Sequence, residues 1–140
     1  MKYVWTQNLE TGNEIIDLQH KALIEALNRL VDATMRGCGC QELKQTVEFL
    51  EGYTKKHFAD EEALQLTYQY PDYESHKKLH EEFCETVREI GEKLLEEGAT
   101  MKLLGRVNRE MGDWLILHIK IEDVRLARYI REHSADREDG

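Results

Sequence analysis

Apolar side chains recur every three or four residues along four long stretches of this chain, and this helical period is the feature that most limits its fold. The four stretches cover residues 13–36, 41–68, 73–97 and 101–132. Gly37, Pro71 and Gly98 separate them, because glycine favours a helix end and proline excludes helical geometry just before it. Four amphipathic helices with short connections pack most simply as an antiparallel up-down-up-down bundle. The sequence therefore predicts an all-α four-helix bundle.

The remaining residues extend this bundle without suggesting a second unit. Residues 1–12 are expected to form an N-terminal arm and residues 134–140 a polar tail, with residues 1–140 as a single domain. A net charge of −9, spread along the chain, argues against nucleic acid and anionic membranes as partners. The longest apolar run, residues 114–117, is far too short to span a membrane.

The cysteines favour a reducing compartment. There are three, Cys38, Cys40 and Cys84, and an odd number with two so close together is not a disulfide framework. We therefore expect a cytoplasmic protein. Cys38 and Cys40 are interpreted as two loop thiols rather than as a redox or metal-docking pair.

Seven polar side chains interrupt the apolar stripes, where Leu, Ile or Phe would pack better. They are His20, His57, Glu61, His76, His80, His118 and Asp123. Residues four apart share a helix face, so His57 with Glu61 and His76 with His80 can each converge on one point. Burying an unpaired imidazole or carboxylate costs several kcal/mol. A single buried histidine is more often an ordinary core residue, but five on facing stripes with two carboxylates favour a shared metal site.

The spacing of His118 and Asp123 needs a local change of helix geometry. Side chains five residues apart diverge by roughly 140° on an ideal α-helix. A π-bulge would bring the two together, and such bulges are frequent at functional sites. The sequence therefore predicts a π-bulge between them.

The composition of this donor set indicates two metal ions. Five imidazoles and two carboxylates are too many for one tetrahedral zinc ion, and they suit two octahedral ions bridged by carboxylates. Ligation by imidazole without thiolate is compatible with iron, manganese, copper or zinc, so ligand type leaves the metal open.

These residues resemble the bacterial hemerythrins over nearly the whole chain. The similar segments are residues 16–20, residues 57–62, Tyr70-Pro71 followed by His76 and His80, and residues 114–123. The resemblance implies two iron ions with a bridging oxo or hydroxo group, and reversible O2 binding at an open position on one of them. It assigns His76, His80 and His118 to one iron, His20 and His57 to the open iron, and Glu61 and Asp123 to both. The implied O2 pocket is formed by Leu23, Phe58, Trp114, Leu115 and Ile119.

The chain departs from the family pattern at three positions. Gln65 stands where relatives often have methionine, Gln69 where glycine is frequent and Thr11 where valine is common. If Gln65 points inward, its amide would admit water near the site. Asp17 and Glu62 are interpreted as surface charges rather than as residues that orient the ligand imidazoles.

Three functions stay open at this point. The favoured one is O2 binding for storage, delivery or scavenging by a monomer that is not an enzyme. The alternatives are an O2 or redox sensor acting through a partner, and a diiron enzyme acting on peroxide or nitric oxide. An enzyme would need an acid–base group beside the open iron, and no spare histidine or glutamate is evident on the stripes.

Overall fold

The computed structural model describes residues 2–139, with side chains up to residue 134, and it confirms the all-α four-helix bundle. The helices are α1 (Glu14–Met35), α2 (Gly39–Thr67), α3 (Tyr73–Glu97) and α4, a continuous helix over residues 101–139. No strand occurs among the described residues. Packing joins α1 to α2, α2 to α3, and α4 to α3 and α1. None of the described helices is both long and apolar enough to cross a membrane.

Polar side chains cap the starts of α1 and α4. The Asn13 side chain accepts from the Ile16 amide at 3.1 Å, and Thr100 accepts from the Leu103 amide at 3.1 Å. The last helix was expected to end near Glu132, but it continues to Asp139. The predicted tail at 134–140 therefore overlaps this helix. Gly140 and the side chains from residue 135 onward lie outside the described residues.

The end of α2 explains why glycine suits position 69. Gln69 has a φ of +54°, in the left-handed region that disfavours residues with a Cβ. The Tyr70 amide donates to the Gln65 carbonyl at 2.9 Å, and the Gln69 amide donates to the Leu66 carbonyl at 3.2 Å. This is the Schellman arrangement, whose left-handed position is usually glycine.

Gln69→Gly should raise the free energy of unfolding by about 1 kcal/mol, because glycine adopts positive φ without steric cost. The Gln69 side chain is exposed, so little packing is lost. Urea denaturation measures the change. As a control of opposite sign, Gln45→Gly at an exposed position within α2 should destabilise by about 1 kcal/mol. Destabilisation by Gln69→Gly would contradict this interpretation.

Helix α4 buries a stripe with a period of four. Its members are Val107, Met111, Leu115, Ile119, Asp123 and Ala127, all of them buried. Each four-residue step overshoots a full α-helical turn by about 40°, so a regular α-helix would rotate this stripe out of the core. Two wider π segments, Val107–Asp113 and Ile119–Asp123, restore the phase. The second confirms the predicted π-bulge, whereas the first was not predicted.

These π segments also change which residues of α4 face inward. A constant α-helical period over residues 101–132 leads us to expect Trp114 and Ile121 on the buried stripe. Trp114 is only half-buried, however, and Ile121 is 45% exposed. Leu115 and Ile119 are buried instead. The expectation assumed a constant α-helical period, which α4 does not keep.

The bundle is divided into an apolar half and a polar half. The half where α1 ends and α2 begins is filled by apolar side chains, among them Leu27, Leu30, Leu43, Leu50, Phe83 and Ile90. The opposite half surrounds the buried histidines and carboxylates. The apolar half anchors all four helices, so the polar half can accept side chains that pack poorly by themselves.

Candidate metal centre

The bundle brings all seven predicted polar side chains together inside its polar half. Each of them is at most 5% exposed. They form two groups in which the facing donor atoms lie within 4.8 Å of one another. One group contains His76, His80 and His118, the other contains His20 and His57, and Glu61 and Asp123 belong to both.

Glu61 presents one carboxylate oxygen to each group. Its Oε1 lies 2.9 Å from His76 Nε2 and 3.3 Å from His80 Nε2. Its Oε2 lies 3.0 Å from His57 Nε2 and 3.6 Å from His20 Nε2. A carboxylate placed in this way can bridge two cations.

Asp123 repeats this arrangement from the opposite helix. Its Oδ1 lies 3.2 Å from the Nε2 atoms of both His76 and His118, and its Oδ2 lies 2.9 Å from His20 Nε2. The π segment Ile119–Asp123 is what lets His118 and Asp123 face the same point despite their five-residue spacing.

Two of the imidazoles are oriented through their outer nitrogen. His57 Nδ1 donates to Gln19 Oε1 at 2.6 Å, and Gln19 Nε2 donates to Asp60 Oδ2 at 2.9 Å. His80 Nδ1 donates to Glu62 Oε2 at 2.9 Å. A proton on Nδ1 leaves the lone pair of Nε2 directed at the centre, which is the tautomer that a metal ligand requires.

These partners correct one expectation from the sequence and add one residue that the sequence analysis missed. Glu62 was interpreted as a surface charge, but it orients His80. Gln19 was not predicted at all, although its position beside His20 on α1 was a usable signal. Asp17, by contrast, accepts from the Thr11 amide at 2.9 Å and the Thr11 hydroxyl at 2.8 Å, so it fixes the arm rather than an imidazole.

Without a metal ion, the charges of the cluster depend strongly on one another. Burial alone would lower the pKa of His20, but Asp123 and Glu61 outweigh it and raise this pKa to about 9. The same balance raises the pKa of His76 to about 10. Burial would raise the pKa of Glu61, but the surrounding histidines hold it well below its usual value. The centre therefore attracts positive charge, whether from protons or from metal ions.

Several buried atoms of the cluster make no hydrogen bond of good geometry, although its imidazoles and carboxylates lie close together. They include Nε2 of His20, Nε2 of His57, Oε2 of Glu61 and both carboxylate oxygens of Asp123. His80 Nε2 and His118 Nε2 lie only 3.1 Å apart, about the separation expected of two imidazoles bound at right angles to one ion at about 2.1 Å. Unpaired buried polar groups are rare. The residues present therefore fit a pair of metal ions.

Two of the five predicted pocket residues, Phe58 and Trp114, contact imidazoles of the cluster, and the other three are buried in the core. Leu23, Leu115 and Ile119 are almost completely buried. Phe58 stacks on His80 with 3.8 Å between ring centroids, and Trp114 stacks on His118 at 4.6 Å. These two aromatic rings thus cover imidazoles of the three-histidine group. A surface cavity of about 370 Å³ reaches Phe58 and His80 from between α2 and α3.

Gln65 points inward, and it is fully buried. Continued from His57 and Glu61, the helical period of α2 leads us to expect Leu64 at the next inner position. Leu64 is only half-buried, however, and Gln65 takes that position. Neither atom of the Gln65 amide has a hydrogen-bond partner within the protein. A buried amide without hydrogen-bond partners destabilises the fold.

Gln65→Met should raise the free energy of unfolding of the metal-free protein by about 1–3 kcal/mol, because it removes two unpaired polar atoms at nearly constant volume. Urea denaturation measures this change. The matched control is Gln45→Met at an exposed position of the same helix, which should change stability by less than about 0.5 kcal/mol. A loss of stability in Gln65→Met would mean that the amide is hydrogen-bonded to internal water.

The comparison with known families agrees with this geometry. A family model described as "Hemerythrin HHE cation binding domain" matches residues 11–130, a segment that contains all seven clustered side chains. The chain belongs to the hemerythrin family. The family assignment made from the sequence is thereby confirmed.

Named relatives in the hemerythrin family align over most of this chain. A bacteriohemerythrin of Pseudomonas aeruginosa is 34% identical over 134 residues, which are 95% of this chain and 84% of the relative. A myohemerythrin of Theromyzon tessulatum is 32% identical over 86% of this chain and 88% of its own length. A bacteriohemerythrin of Campylobacter jejuni is 28% identical over 89% of this chain and 92% of its own length.

Proposed function

We propose that the chain holds two iron ions in this cluster and binds O2 reversibly with them, for storage, delivery or scavenging of O2 in the cytoplasm. The observation that carries the proposal is the placement of Glu61 and Asp123, each of which presents one oxygen to the three-histidine group and one to the two-histidine group. The free thiols of Cys38, Cys40 and Cys84 support a reducing compartment.

The donor set favours binding of O2 over its cleavage. Two Fe²⁺ ions, two carboxylates and one bridging hydroxide would leave a net charge of +1 in the centre. Ferritin-like diiron bundles use about four carboxylates with two histidines. Fewer anionic ligands stabilise the ferric state less, which supports reversible oxygenation.

His76, His80 and His118 would hold one iron, and His20 and His57 would hold the other with a position left for O2. Glu61 and Asp123 would hold both. When bound, the iron pair supplies two electrons to O2 and recovers them when O2 leaves.

The protein's own contribution is orientation and exclusion of water. Gln19 and Glu62 fix the imidazoles of His57 and His80 with Nε2 facing inward. Leu23, Leu115 and Ile119 would close the pocket with hydrocarbon. Such a pocket would exclude water, and with it the solvent protons that promote side reactions at the site.

The test is anaerobic reconstitution with Fe²⁺ followed by alternating exposure to O2 and vacuum under an absorption spectrometer. The proposal predicts a visible band that appears with O2, disappears under vacuum and returns over several cycles. Protein without added iron is the control and should stay colourless. A permanent ferric spectrum after the first exposure, with hydrogen peroxide in solution, would contradict reversible binding and favour the sensor or the enzyme.

A further inference from the structure

The first residues of the N-terminal arm, which covers residues 2–12, are bonded to the second half of α1. The Tyr3 amide donates to Asn28 Oδ1 at 2.7 Å, and Asn28 Nδ2 donates back to the Tyr3 carbonyl at 2.8 Å. Lys2 Nζ lies 2.8 Å from Asp32 Oδ1 on the same helix. These bonds leave the Tyr3 side chain directed towards α4.

The Tyr3 hydroxyl contacts the first π segment of α4, Val107–Asp113. Its oxygen lies 3.0 Å from the Asn108 carbonyl and 2.9 Å from Asp113 Oδ1, so the single hydroxyl proton can be donated to either acceptor. Burial and the neighbouring Asp113 raise the pKa of Tyr3, which keeps the phenol protonated and able to donate. Tyr3 therefore links the two ends of the π segment.

Gly112 makes room for the Tyr3 ring. A Cβ at this position would overlap the Tyr3 hydroxyl oxygen and would lie 2.8 Å from Tyr3 Cζ. Gly112 is buried in the middle of a long helix, where glycine is otherwise unfavourable. The close approach of the two residues accounts for glycine here.

The rest of the arm holds α4 beyond the first π segment. Its 3₁₀ turn, Gln7–Leu9, contacts the second π segment, Ile119–Asp123, and Leu9 is buried. The Thr11 carbonyl then accepts from Arg131 Nη1 at 2.6 Å. The arm thus contacts α4 on both sides of the metal centre.

We propose that Tyr3 is a positioning residue for the metal centre. π turns are rare in helices, so a π segment is expected to be stabilised by contacts from outside its helix. The segment Val107–Asp113 contains none of the clustered metal-site residues that could supply such contacts. Tyr3 supplies them instead. If this segment lost its one extra residue per turn and became α-helical, the helix after it would rotate by roughly 100°. His118 and Asp123 would then leave the cluster. This inference rests on the proposed metal site.

The experiment compares Tyr3→Phe with the full-length wild type, using Co²⁺ alone as the probe and amide hydrogen exchange on the metal-free proteins. Tyr3→Phe keeps the ring and removes the hydrogen bond. We expect roughly tenfold faster exchange in residues 108–119 and roughly tenfold weaker Co²⁺ binding, as loss of a hydrogen bond to a carboxylate implies. Both Co²⁺ ions should be affected, because Asp123 follows the segment and belongs to both donor groups. The matched control is Tyr53→Phe, whose ring stacks on Phe49 of α2, and it should change neither readout.

A second test combines a larger side chain at position 112 with a smaller one at position 3. Gly112→Ala should weaken Co²⁺ binding when Tyr3 is present, because the new methyl group displaces the ring. In a Tyr3→Ala background the same substitution should have no further effect. Equal effects in both backgrounds would contradict the inference.

The outcomes separate this inference from the metal site. If the wild type takes up no Co²⁺, the metal site itself is wrong. If the wild type binds two ions and Tyr3→Phe matches it in affinity and in exchange, the positioning role is wrong. Faster exchange spread evenly over all four helices, with unchanged Co²⁺ binding, would also contradict it, because that result indicates a general loss of stability.

Discussion

Glu61→Ala should leave the protein unable to hold either iron ion, whereas His118→Ala should release only one of the two. Glu61 belongs to both donor groups, but His118 belongs to the three-histidine group alone. Removing even an outer partner of a ligand typically weakens metal binding by 10–100-fold, so losing a ligand should weaken it by more than about 100-fold. His118→Ala should also melt at a lower temperature, because bound metal stabilises the fold and this variant binds less of it.

Iron content per chain after anaerobic reconstitution and desalting measures this difference. Glu61→Gln, which preserves the shape of the side chain, separates loss of a ligand from loss of the fold. His133→Ala is the matched control, because His133 stacks on Tyr129 at the end of α4 and belongs to neither donor group. Retention of two iron ions by Glu61→Ala or by His118→Ala would contradict the assignment.

Metal-free protein should lose stability as the pH rises from about 6.5 to about 10. His20 and His76 have pKa values raised to about 9 and about 10 in the fold, above the ordinary value of 6.5. Their protonated forms therefore stabilise the fold fully below pH 6.5, and this contribution disappears as the pH passes through the raised values. Discounted for coupling between the groups, the loss should be about 3 kcal/mol or more.

Acid should destabilise the metal-free protein as well. The pKa values of Glu61 and Asp123 are held below normal, mainly by the histidines around them, despite burial. Their stabilising contribution is present above their ordinary pKa and is lost as the pH falls. The metal-free protein should thus be most stable between about pH 4.5 and 6.5.

Bound metal should prevent the loss of stability that the metal-free protein shows at alkaline pH. A cation that replaces the protons of His20 and His76 keeps the carboxylates compensated at high pH, and protons compete with it at low pH. The metal-loaded protein should therefore keep its stability above pH 7 and lose metal below about pH 6. Thermal melts from pH 4 to 10, with and without metal, measure both curves. Parallel curves would show that the metal does not bind to these imidazoles.

The sequence was sufficient to predict the helices and the polar cluster because both depend on local spacing. The four-residue spacing alone places His57 and Glu61 on one helix face, and it does the same for His76 and His80. The five-residue gap between His118 and Asp123 predicted the π segment Ile119–Asp123, because only that geometry brings them to one face. In each of these cases a single helix contains the whole signal.

The features that the sequence did not reveal depend on contacts between distant residues. Gln19 and Glu62 orient imidazoles on other helices, across 38 and 18 residues of sequence. The first π segment depends on Tyr3, which is 105 residues from its partner Asn108. The choice between Leu64 and Gln65 for the inner position of α2 was ambiguous because adjacent residues lie only about 100° apart on a helix.

The most direct test of the central claim is anomalous diffraction at the iron edge, on crystals of anaerobically reconstituted protein. The proposed site predicts two peaks per chain, roughly 3.5–4 Å apart as in other two-metal sites. One should lie among the Nε2 atoms of His76, His80 and His118, and the other beside those of His20 and His57. A single peak, a peak elsewhere, or a cluster filled only by water would contradict the account.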